Sequence, residues 1–95
     1  MIFGRVVGTV VSTENSQDIG GAKYLLVRVC SPRGEWREEY LVALDLVGSG
    51  SGETVVIAQG SSSRQTDATY QKPVDAVIAG IVDMVEEDGS IVFRK

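Results

Sequence analysis

The chain has 95 residues, a net charge of −4 and 43% hydrophobic residues. That is enough for one domain, 1–95, with a thin core that buries roughly 60–65% of the surface an unfolded chain exposes. The acidic balance argues against nucleic acid and anionic membrane as partners, since both are held largely by Lys and Arg.

Histidine is absent, which removes the commonest general base and metal ligand. The single cysteine, Cys30, can form no intrachain disulfide, and this points to a reducing compartment. The longest apolar region, Ala76 to Val85, is interrupted by Asp83 and is far short of the ~20 residues of a membrane-spanning helix. No basic segment precedes the apolar run at the start, so it does not read as a signal peptide.

Ile2 to Thr13 is rich in valine and threonine and predicts a long first strand. Alternation puts Val6, Gly8, Val10 and Ser12 on one face and Arg5, Val7, Thr9, Val11 and Thr13 on the other. Gly8 in mid-strand predicts a bulge, a sharp bend or a close backbone approach, and a small closed barrel requires such a bend. Glu14 to Gly21 is a polar loop. Tyr24 to Cys30 predicts the second strand, and Ser31-Pro32-Arg33-Gly34 a turn. Arg37 to Leu46 is the third strand.

Asp45 to Arg64 is the most informative stretch. Gly48, Gly50 and Gly52 punctuate a turn into Glu53 and a fourth strand, Thr54 to Ala58. Gly60, Ser61, Ser62, Ser63 and Arg64 open a polar loop that runs to Lys72, long enough to suggest a functional or interfacial role. Pro73 and Asp75 mark the start of a short helix that Gly80 ends. Ile81 to Val85 is the fifth strand. Glu87-Asp88-Gly89-Ser90 carries a hairpin signal, and Ile91 to Phe93 is a last short strand. The sum is a mainly β fold: a small five-stranded OB-like antiparallel β-barrel with one short helix.

No motif carries a reaction. The Gly48–Gly52 run lacks the lysine-Ser/Thr ending of a phosphate-binding loop, and no long helix follows. A hydrolase built on Ser62 or Ser63 would have no histidine base. Asp75 and Asp83 lack further ligands for a metal, and they read as a helix cap and as a partner of backbone or arginine. No cofactor is implied. Cys30 reads as a buried small apolar residue. Trp36 reads either as an exposed aromatic at a partner surface or as a packed edge residue. The barrel shape also admits an OB-like single-stranded nucleic-acid-binding module, but the aromatics are few and not interleaved with a basic stripe.

Several segments together resemble the EutN/CcmL family of pentameric bacterial microcompartment vertex proteins. They are Val7-Gly8-Thr9-Val10-Val11-Ser12-Thr13, Gly21-Ala22-Lys23-Tyr24-Leu25-Leu26-Val27 and Val42-Ala43-Leu44-Asp45-Leu46-Val47-Gly48. Gly50, Gly52-Glu53, Gly60-Ser61-Ser62, Arg64, Pro73-Val74-Asp75-Ala76 and Gly80-Ile81-Val82-Asp83 continue the series in order. Ser49 and Ser63 stand where the family pattern has alanine, and the Cys30 to Glu39 hairpin follows no family pattern.

The resemblance implies a non-enzymatic shell protein in the cytoplasm. It would form homopentamers that cap the vertices of a carboxysome or metabolosome and meet hexameric facet proteins. Gly48, Gly50, Gly52, Glu53, Gly60, Ser61, Ser62, Arg64, Asp75 and Asp83 are the candidates for subunit contacts or a pore.

Overall fold

A computed structural model describes residues 1–11, 23–60 and 76–95. Within them the strands are β1 (Ile2–Val10), β2 (Lys23–Cys30), β3 (Trp36–Asp45), β4 (Thr54–Gln59), β5 (Ala76–Ile81), β6 (Met84–Glu87) and β7 (Ser90–Arg94). The first five close into a barrel in the order β1-β2-β3-β5-β4, with β4 pairing back onto β1. This is an OB-like strand order. β6 and β7 form a separate two-stranded sheet.

The core follows from alternation. Val6, Leu25, Val27, Ala43, Val55, Ile57, Ala76 and Ile78 form one buried cluster, with Ile2, Leu41 and Ile81 packed on it. On β2, β4 and β5 these residues are two apart, so one face of each strand fills the interior.

The expected bend at Gly8 is present. Val6 pairs with Val27 and Gly8 with Leu26, so Val7 is the extra, bulged residue. The bulge also corrects the simple alternation. Beyond it Gly8 and Val10 stand opposite Leu26 and Tyr24 on the outer face, no longer on the face of Val6.

Two expectations fail at β5. The short helix from Pro73 to Gly80 is contradicted where the structure describes it, because residues from Ala76 to Ile81 form a strand. Moreover, the barrel is not wholly antiparallel: β5 pairs antiparallel with β4 but parallel with β3, through Leu44↔Val77 and Asp45↔Ile78. A run as short as AVIAG fits one helical turn or one strand equally well by periodicity. Here the open edges of β3 and β4 decide, since a strand satisfies their hydrogen bonds and buries Ala76, Val77 and Ile78. Gly80 therefore ends no helix and instead pairs with Val56.

The Asp-Gly hairpin signal holds. Asp88 (φ 51°) and Gly89 (φ 82°) connect β6 to β7, both left-handed as a type I′ turn requires. Arg33 Nη2 reaches Glu87 Oε1 at 2.9 Å and ties this hairpin to the turn after β2.

Candidate functional site: the glycine turn and the face around Trp36

The turn from β3 to β4 is built around two carboxylates. Asp45 is buried at the end of β3. Its Oδ1 accepts hydrogen bonds from Val47 N (3.2 Å), Ser49 N (3.2 Å) and Ser49 Oγ (3.0 Å). An aspartate that begins a turn folds the chain back onto its own side chain in this way. Ser49, 2% exposed, is thereby a buried polar residue with its hydroxyl and N–H both satisfied.

Glu53 closes the second half. Its Oε1 accepts from Gly50 N (2.6 Å), and its own N–H donates to Gly50 O (3.1 Å). The turn is then fastened to β1 at the bulge. Gly52 N donates to Val6 O (2.8 Å), and Val6 N donates to Glu53 O (3.0 Å).

Lys95 extends the network. Its Nζ donates to Glu53 Oε2 at 3.0 Å and lies 3.7 Å from Asp83 Oδ1, while its N–H donates to Asp83 O at 2.8 Å. These contacts hold the Glu53 carboxyl below the ordinary glutamate range, through the Lys95 ammonium first and the Gly50 N–H second. The hydrogen bond that Lys95 donates to Glu53 raises Lys95 above the ordinary lysine value in return.

Gly48, Gly50, Gly52 and Glu53 thus share one turn, and Asp83 joins them through Lys95. Gly48 (φ 73°) and Gly52 (φ 87°) are left-handed, and a Cβ at either meets nothing within 4 Å. Their glycines are needed for backbone conformation rather than for space inside this chain. Gly60 (φ 62°) lies just past the far end of β4, about 20 Å from Thr54 at ~3.3 Å per residue. The candidates Ser61, Ser62, Arg64 and Asp75 lie outside the described residues. Among the described residues Asp83 is partnered by a lysine and not by an arginine.

Sequence reasoning missed two residues. Asp45 organises the turn; an aspartate just ahead of a glycine-rich stretch was the available signal. Gly4 is buried against β2, where an added Cβ would overlap Val27 Cγ1 and stand 3.1 Å from Arg28 O. Nothing in the local sequence marks that approach.

A second surface lies on the outer face of β1, β2 and β3. Arg5 stands opposite Arg28, and Arg28 opposite Tyr40. The Trp36 ring lies 5.3 Å from the Arg5 guanidinium carbon and 4.8 Å from that of Arg28. Trp36 is packed by these arginines and is 44% exposed. Cys30, next to it, is buried, and burial pushes its thiol up despite the Arg5 charge.

The carboxylates of the glycine turn bind the chain's own backbone and Lys95, which is the chemistry of a scaffold: an OB-like barrel module with a rigid, hydrogen-bonded turn. The chain belongs to the EutN/CcmL family; the family model described as "Ethanolamine utilisation protein EutN/carboxysome" matches residues 1–83.

It is 40% identical to the carboxysome shell vertex protein CcmL of Gloeobacter violaceus over 95 residues, covering 100% of this chain and 95% of that protein. The solved structure of Gloeobacter violaceus CcmL superimposes with a TM-score of 0.91 over 100% of this chain and 98% of that one. The shell vertex protein EutN of Escherichia coli is 37% identical over 100% of both chains. A pentameric microcompartment shell protein, GrpN of Rhodospirillum rubrum, is 39% identical over 92% of this chain and 99% of its own, with a TM-score of 0.81. These relatives do not favour the nucleic-acid alternative.

Proposed function

We propose that this chain is a structural, non-enzymatic shell protein that forms a cyclic homopentamer and closes the vertices of a polyhedral bacterial microcompartment in the cytoplasm. The end-to-end match carries this reading. The chain spans 95% of the Gloeobacter vertex protein and 100% of the Escherichia coli one, so no separate domain of those relatives is missing from it. The geometry is general: a flat hexagonal sheet closes only by introducing five-fold defects, and a pentamer supplies one.

A cyclic assembly joins unlike patches of neighbouring copies. Gly48, Gly50, Gly52, Glu53, Gly60, Ser61, Ser62, Arg64, Asp75 and Asp83 are the residues we assign to subunit contacts or to the five-fold axis. Rigid, Cβ-free turn segments suit a place where backbones of several copies converge. Hexameric facet proteins are the partners outside the ring.

Native mass spectrometry of the purified chain tests the pentamer. Co-expression with hexameric facet proteins tests the vertex role by electron microscopy: closed polyhedra form with the chain, and open sheets or tubes without it. A monomer at micromolar concentration, or equal closure in its absence, would overturn the reading.

A further inference from the structure

The Arg5–Arg28 pair presents a charge imbalance on an otherwise ordered face. The two arginines stand directly opposite each other on β1 and β2, a like-charge arrangement that destabilises a sheet unless it is compensated. Glu38 compensates one of them: its Oε1 accepts from Arg28 Nη2 at 2.9 Å, and Arg28 Nε donates to Arg37 O at 3.1 Å. Arg5 has no carboxylate among the described residues. Its Nε is covered and without an acceptor, although the residue as a whole is only half-buried. The Trp36 ring lies close to both guanidinium groups. Tyr40 (52% exposed) and Val42 (50%) continue the same face as an apolar surface.

We infer that Arg5, flanked by Trp36 and Arg28, receives an acidic side chain from a neighbouring copy of this chain. The inference rests on the pentamer proposed above and assigns one of its contacts. Charge complementarity selects the occupant. Each copy carries 13 Asp and Glu against 9 Lys and Arg, so carboxylates are in surplus on the adjacent subunit. The same imbalance repels a nucleic-acid backbone, and Glu38 lies beside the arginines to reinforce that repulsion. The exposed Tyr40 and Val42 extend beyond what a small anion would cover and suit a protein surface.

Trp36 is the only tryptophan, so its emission reports this face alone. Emission is followed across a dilution series, with native mass spectrometry giving the oligomeric state. The expected result is a blue shift on assembly. Arg5→Gln raises the concentration at which half the pentamer dissociates by about tenfold or more, since it strips one partner from a buried charge pair. Arg5→Lys falls between, and Arg37→Gln, on the strand of Trp36 but with its side chain outside the cluster, matches the parent.

A pentamer whose Trp36 emission equals that of the monomer would overturn the inference, whatever the variants do. So would Arg5→Gln assembling like the parent, including cases where Trp36 of the monomer responds instead to acetate, to an oligonucleotide or to an added facet protein. A parent chain that never assembles would overturn the proposed function as well, whereas a parent pentamer indifferent to Arg5 overturns this contact alone.

Discussion

Replacing Asp45 with alanine removes the acceptor on which three donors of the glycine turn converge. Val47 is exposed, so its N–H finds water. Ser49 is 2% exposed, so its N–H and hydroxyl are left buried without an acceptor. An orphaned buried donor costs about 1–3 kcal/mol, so two together cost about 2–6 kcal/mol. At ~0.05–0.15 kcal/mol per residue a chain of this size has about 5–14 kcal/mol in total, so the loss is a large share of it. Asp45→Asn keeps an oxygen in the same place but without charge. It should cost about 1–2 kcal/mol, because charge-assisted bonds are roughly twice as strong as neutral ones. Urea unfolding at one fixed protein concentration measures both, which holds any contribution from assembly constant. Asp45→Ala within 1 kcal/mol of the parent, or Asp45→Asn as damaging as Asp45→Ala, would refute the account of the turn.

Other expectations are as specific. Gly4→Ala pushes a methyl group into Val27, which is fully buried, and should cost about 1–3 kcal/mol by overpacking. Combining it with Val27→Ala should recover part of that loss in a double-mutant cycle, and strict additivity would count against the clash. A Cβ at Gly52 meets no atom within 4 Å, but Gly52→Val must hold φ +87°, a strain of about 1–2 kcal/mol. The monomer should therefore stay folded by circular dichroism while pentamer is lost, and an intact pentamer would remove the turn from the subunit contact. Gly50→Ala has no positive φ, and its Cβ would sit 3.6 Å from Glu53 Oε1; unfolding should register a change within about 0.5 kcal/mol.

The Glu53–Lys95 pair predicts a pH window. The folded Glu53 value is lowered, so its contribution is present above the unfolded glutamate value and is lost as pH falls through the folded one. The folded Lys95 value is raised, so its contribution is present below the unfolded lysine value and is lost as pH rises through the folded one. The difference in urea midpoint between parent and Lys95→Gln should form a plateau at neutral pH and fall away on both sides. A difference independent of pH would mean the pair adds nothing.

Most of the barrel was legible in the sequence because its information is local. Valine-rich alternation marked β1, β2, β3 and β4, the Gly8 bend followed from a glycine inside a strand, and Asp88-Gly89 specified its own turn. The glycine turn was legible as a unit, since Gly48, Gly50, Gly52 and Glu53 are neighbours in the chain. What the sequence left open was decided by contacts distant along it. The segment from Ala76 to Ile81 became a strand because β3 and β4 offered unpaired edges on both sides. The glycine at position 4 is required by a side chain on another strand, Val27. Arg5 and Arg28 carry no joint signal at a separation of 23 positions, yet the β1–β2 register sets them side by side next to Trp36. Local steric and hydrogen-bonding preferences wrote the strands and turns, whereas the closure of the barrel and the charge pattern on its outer face exist only once those strands are paired.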